Sequence, residues 1–83
     1  MTEIRETTLE KEEGTIKFQI VEMSKDVAER KAQRKEYREI FSRSDGWASV
    51  TQLDADEGMS EYEIEAAAGI GITAPFMVRF EHC

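Results

Sequence analysis

Apolar and polar residues alternate along two stretches of the chain, residues 15–23 and 75–82. In the first, Ile16, Phe18 and Ile20 fall on one side, with Lys17 and Gln19 on the other. In the second, Pro75 precedes a run in which Phe76, Val78 and Phe80 share one side. A period of two is the mark of a half-buried strand. The two runs match in length and pattern, which predicts that both belong to one antiparallel or mixed sheet. Residues 3–10 (EIRETTLE) lead into Lys11-Glu12-Glu13-Gly14 and then the first of these runs. Two β-leaning segments joined by a few residues containing Gly form a hairpin signal. With only Ile4 and Leu9 as large apolar residues, residues 1–10 read as an edge strand or a mobile tail.

The period changes after Met23. Ser24, followed by Lys25-Asp26-Val27, is placed to cap a helix. Helix-forming residues then run to about Ser42 with no Gly or Pro to interrupt them. Asp26–Arg30, Lys35–Glu39 and Glu39–Arg43 stand four apart, each pair worth a few tenths of a kcal/mol, roughly. The apolar face is narrow: Val27, Tyr37, Ile40 and Phe41 with some Ala. Packing is therefore expected of the C-terminal half, and projection of the N-terminal half.

Ser44-Asp45-Gly46 is a turn signal, and Trp47, the single Trp, follows it. A large aromatic beside a turn serves either as core or as an interface anchor. Residues 48–53 fit a short strand as well as the first turns of a helix. Ser60-Glu61-Tyr62-Glu63 fits a capping box, alanines carry the pattern to Ala68, and Gly69 is placed to stop it. Against this, Tyr62, Ile64, Ala66, Ala68, Ile70 and Ile72 alternate with Glu61, Glu63 and Glu65 as a strand would. Cap, stop and alanine content favour the helix. The fold class is α+β, a single small domain spanning 1–83. A sheet of two to four strands is packed by one long helix and a second, short one, both on the sheet's apolar face.

Charge adds a division that the elements do not show. The chain has 83 residues and a formal charge of −7, yet residues 1–43 hold ten bases and ten acids. Residues 44–83 hold Arg79 against Asp45, Asp54, Asp56, Glu57, Glu61, Glu63, Glu65 and Glu81, so all the excess lies there. Such a field repels phosphate backbones and anionic membranes and attracts basic surfaces. A chain this short gains from association, since its own core is small, and a homodimer is one form this can take. No run approaches the roughly 20 apolar residues that span a bilayer, and residues 1–10 do not resemble a signal peptide. The single cysteine, Cys83, forms no intrachain disulfide. The expected location is cytoplasmic.

Three patterns bear on chemistry. Leu53, Gly58, Met59 and Ile64 resemble the spacing of a helix-turn-helix, and a strand at 75–81 would supply part of a wing. However, Asp54 and Glu57 stand where such a motif packs small or apolar residues. Its reading helix would also present Glu61, Glu63 and Glu65 to DNA. Asp54, Asp56 and Glu65 occupy the first, third and twelfth places of a window resembling a calcium-binding loop. Gly58 replaces its fifth-place ligand, and Met59 its turn glycine. Paired carboxylates perform acid–base catalysis only in a pocket that separates their pKa values. His82, beside the chain end, has no identifiable partner for a nucleophilic dyad. Neither a phosphate loop nor a metal-spaced Cys/His set is present, and Gly69-Ile70-Gly71 is not a dinucleotide loop.

The expectation is thus a non-catalytic protein-binding module with no cofactor and no metal. Its contact surface is Asp54, Asp56, Glu57, Glu61, Glu63, Glu65 and Trp47, turned toward a basic protein. One version is an inhibitor or regulator whose carboxylates imitate a nucleic-acid backbone. In composition alone this resembles small acidic inhibitors such as those encoded by phages. The alternative is a winged-helix-like regulator that binds DNA through the one basic cluster, Arg30, Lys31, Arg34, Lys35 and Arg38.

Overall fold

The computed structural model describes residues 3–43, 51–54 and 59–82. Strand β1 (Ile4–Lys11) turns through Glu12-Glu13 into β2 (Gly14–Glu22). Helix α1 (Val27–Arg43) follows, then a short strand β3 (Thr51–Asp54), helix α2 (Glu61–Gly69) and strand β4 (Phe76–His82). The sheet is antiparallel throughout, in the order β1-β2-β4-β3. The hairpin forms as its sequence suggests. Residues 4–11 pair fully with β2, and Gly14 closes the two-residue turn with a φ of 131°, a conformation that glycine adopts without penalty. The architecture is α+β, with residues 4–11 as an edge strand.

The two alternating runs pair directly: Phe18 stands opposite Phe80, and Ile20 opposite Val78. The Phe18 and Phe80 rings tilt against each other with centroids 5.9 Å apart, within the range of favourable aromatic pairs. This face of the sheet carries Ile16, Phe18, Ile20, Phe76 and Val78, and is covered by Ala66 and Ala67 of α2 and by Ile72.

The opposite face is also buried, which corrects the expectation of one covered face. Val21, Met23 and Met77 pack there against Tyr37 and Phe41 of α1. The reason is visible at the strand centres, where Ile20-Val21 and Met77-Val78 place apolar side chains on both sides of the pleat. The molecule is a three-layer sandwich with one helix on each side of the sheet. Among the described residues, no helix is long and apolar enough to cross a membrane.

The helix ends follow local chemistry with two shifts from the expected residues. α1 begins at Val27, and Asp26 does the capping, its carboxylate accepting from the Glu29 N–H at 3.0 Å. Ser24 instead accepts from the Asp26 N–H and donates to the Glu29 carboxylate. At the end of α2, Gly69 is the last helical residue and Gly71 provides the left-handed stop, with φ 83°. The Gly71 N–H bonds to Ala68 O and the Ile72 N–H to Ala67 O, the pair of bonds that closes a Schellman motif. Arg5 of β1 donates to Ile70 O at 2.9 Å and ties the edge strand to this terminus.

Candidate functional site

Residues 61–69 are helical, which settles the competition between the two periodicities, and the consequence for the acids is uneven. Ser60 caps the helix by accepting from the Glu63 N–H, while Glu63 Oε1 accepts from the Ser60 N–H and hydroxyl. Closing this box draws Glu63 inward, leaving it 4% exposed. Glu61 and Glu65 lie one turn apart on the exposed side. Of the acids expected along α2, two are displayed and one is structural.

The displayed pair faces the hairpin. Lys11 Nζ lies 2.9 Å from Glu65 Oε2 and 4.8 Å from the centre of the Tyr62 ring. Its pKa is held above the ordinary lysine value, first by the hydrogen bond to Glu65, with burial opposing. The charges of Glu65, Tyr62 and Glu61 add to the upward shift. Glu12 and Glu13, both exposed, follow Lys11 at the hairpin tip. Four exposed carboxylates therefore belong to the two elements that meet at one lysine, Glu12 and Glu13 on the hairpin with Glu61 and Glu65 on α2.

Beside this surface, Ile16, Phe18, Ser60, Tyr62, Glu63 and Phe80 line a cavity of about 230 Å³ between the sheet and the start of α2. Its walls are largely aromatic and aliphatic. Glu63 Oε2 is buried and has no hydrogen-bond partner among the described residues. This cavity was not read from the sequence. The signal available was parity, since Ile16, Phe18 and Phe80 share the face on which α2 sits.

Other expected site residues are dispersed. Asp54 ends β3 in register with Met77, whereas Trp47, Asp56 and Glu57 lie outside the described residues. The strand at 51–54 occupies the place where a helix-turn-helix needs its first helix, and residues 76–82 are an inner strand rather than a wing. The helix-turn-helix spacing therefore does not produce that motif. In the calcium-like window, Asp54 ends a strand and Glu65 is engaged with Lys11.

The basic cluster also divides. Arg30 and Arg34 are half-buried on the inner side of α1, and Arg30 donates to Ser24 O at 3.2 Å and Lys25 O at 3.3 Å. Lys31, Lys35 and Arg38 are exposed, and at about 100° per residue they form one narrow stripe. That stripe and the α2 carboxylates belong to helices on opposite faces of the sheet. The acidic surface's internal counter-charge is thus Lys11, not the α1 bases.

Under the sheet on the α1 side runs a polar chain. Gln19 donates to Glu6 at 2.8 Å, and Arg79 Nε donates to Gln19 Oε1 at 2.5 Å. Arg79 also donates to the Phe41 carbonyl. With Arg79 only 2% exposed, burial pulls its pKa down from the usual arginine value, against an upward pull from the Glu6 charge. Its fixed contacts make it a joint between sheet and α1.

No family model matches the chain, and neither does any curated protein or solved structure.

Proposed function

We propose that this protein is a non-catalytic binding module that presents the carboxylates around Lys11 to a basic protein surface. The observation that carries the reading is the meeting of Glu61 and Glu65 with the hairpin that bears Glu12 and Glu13, where Lys11 is bonded to Glu65. Clustered charge of one sign at an exposed surface speeds the approach of an opposite surface and selects against like-charged ones. Asp54, Asp56 and Glu57 precede α2 in the chain and extend the same sign. In the sharper form of the proposal, the partner is a nucleic-acid-binding protein and the carboxylates occupy its phosphate sites. The module then acts as an inhibitor or regulator.

The test is a pull-down from the native host with three forms of the protein. Wild type retains a basic protein. Glu61→Gln/Glu65→Gln loses it, and Glu36→Gln/Glu39→Gln, with the same charge change on α1, keeps it. Equal loss with both double variants would sink the reading. So would salt-sensitive binding of duplex DNA that disappears when Lys31, Lys35 and Arg38 are changed to Glu. That result would establish the exposed α1 stripe as a nucleic-acid contact.

A further inference from the structure

Strand β1 forms one edge of the sheet, and its outer side meets no other strand among the described residues. The two-residue turn makes Lys11 and Gly14 a hydrogen-bonded pair, so every second residue back from Lys11 directs its N–H and C=O to β2. The bond from the Met23 N–H to Pro75 O fits the same alternation, on the side of β2 that faces β4. Ile4, Glu6, Thr8 and Glu10 therefore turn their N–H and C=O groups away from the sheet. Such an edge invites a further strand unless proline, a bulge or guarding charges blunt it. β1 holds no proline and pairs with β2 in unbroken register over its eight residues. Three of its four charged side chains are bonded within their own molecule, Arg5 to Ile70 O, Glu6 to Gln19 and Lys11 to Glu65. The whole chain carries −7, yet the two bases and two acids of β1 cancel. Two copies can thus meet along this strand without opposing like net charges there.

We propose that β1 pairs antiparallel with β1 of a second copy of this chain, about a two-fold axis at Thr7, and joins the two sheets into one. Hydrogen-bonded and non-hydrogen-bonded pairs alternate along such a ladder, so an exact two-fold axis must set one residue opposite its own copy. Like charges directly opposite each other are destabilising, and this chooses among the registers. An axis at Arg5 or at Glu6 sets that charge against itself. An axis at Thr8 sets Arg5 against Lys11 and Glu6 against Glu10, and one at Leu9 sets Glu6 against Glu12. With the axis at Thr7, no like charges oppose. Glu3 then stands against Lys11, Arg5 against Leu9 and Glu6 against Thr8, while Thr7 meets Thr7, a favourable cross-strand pair. Ile4, Glu6, Thr8 and Glu10 pair only with one another in this register, so each outward N–H and C=O among them finds a partner. The contact uses the backbone of β1 rather than the carboxylates of α2, so it and the acidic surface can fail separately.

Sedimentation equilibrium of the full chain is expected to show a mass that rises with concentration toward twice the 9.5 kDa of one copy. Thr8→Pro removes an outward N–H and sets a ring where the second strand lies, while no bond to β2 is touched. This variant is expected to keep its circular dichroism and to stay monomeric at every concentration. The register is read by cross-linking in a Cys83→Ser background. There Thr7→Cys faces its own copy in a non-hydrogen-bonded pair, with Cα atoms about 4.5 Å apart, which suits a disulfide. With oxidised glutathione, Thr7→Cys is expected to form the linked dimer and Thr8→Cys to form about tenfold less, its own copy lying on the diagonal. A wild type that is monomeric at every concentration overturns the proposal, whatever other strand the edge meets. So does a folded Thr8→Pro that still dimerises, or linkage of Thr8→Cys as ready as that of Thr7→Cys. Should Thr8→Pro fail to fold, the wild-type mass and the two cysteine variants decide.

Discussion

The Arg79 guanidinium lies over the Phe41 ring, 4.9 Å from its centre, while donating to the carbonyl of the same residue. One side chain of β4 thus grips both the ring and the backbone of α1, and its Nε holds Gln19 on the neighbouring strand. Replacing Arg79 by Met keeps much of the volume but leaves Gln19 Oε1 and Phe41 O without this donor. Each buried acceptor so abandoned costs about 1–3 kcal/mol. Arg79→Met is expected to lower unfolding stability by about 3 kcal/mol in urea titrations. Adding Gln19→Leu removes one of the stranded acceptors and restores part of that loss, so the two changes will be non-additive.

Tyr37, buried beside Phe41 on α1, has its pKa raised, first by burial and then by the Glu36 charge. The folded state therefore binds its phenolic proton more tightly than the unfolded state does. Between the two pKa values the native form holds more protons, so stability falls as pH rises. Lys11, also raised, acts in the same direction, because its contribution is complete at neutral pH and disappears as the ammonium deprotonates. Alkaline titration of Tyr62→Phe, followed by tyrosinate absorbance, isolates Tyr37. Its ionisation is expected above the ordinary tyrosine range and coincident with loss of the folded signal. Ionisation at the ordinary value with the fold intact would contradict the assignment.

What the chain revealed in advance was governed by distance in sequence. The pairing of β2 with β4 was legible because Ile16, Phe18 and Ile20 match Phe76, Val78 and Phe80 in period and length. Ser60 was legible as a cap because its partner, Glu63, is three residues away. The cap of α1 was misplaced by two residues, since Ser24 and Asp26 both carry suitable oxygens and only the backbone path selects between them. Gly69 and Gly71 posed the same ambiguity. The second buried face was harder to see. Gln19 reads as a polar position on the side opposite Ile16, Phe18 and Ile20, yet it and Arg79 stand opposite each other in the sheet beneath α1. The burial of Glu63 follows from satisfying its own cap, which removed it from the displayed acids.

Ser60 holds the start of α2, and with it one wall of the cavity. Ser60→Ala removes the acceptor of the Glu63 N–H and a donor to Glu63 Oε1. Loss of a serine cap costs about 1 kcal/mol. Faster amide exchange is expected in the first turn of α2, at Tyr62 and Glu63, with β1 and β2 unaffected. Glu63→Gln is expected to be milder in stability, since Gln also serves in a capping box.

The two glycines at the end of α2 are expected to respond to alanine with opposite signs. Apart from the adjoining residues and the helix's own backbone, neither has a heavy atom within 4 Å of where a Cβ would stand, so crowding by packed neighbours plays no part and the backbone decides. Gly69 is helical and exposed, and alanine there gains about 0.5–1 kcal/mol by restricting the unfolded chain. Gly71 has φ 83°, where an L side chain is strained by about 1–2 kcal/mol. Urea unfolding of Gly69→Ala and Gly71→Ala, compared with wild type, checks both. A stabilising Gly71→Ala would show that the chain leaves α2 by another path. The bonds from Gly71 and Ile72 to Ala68 and Ala67 would then not close the helix, and the position of Ile72 in the core would need a different support.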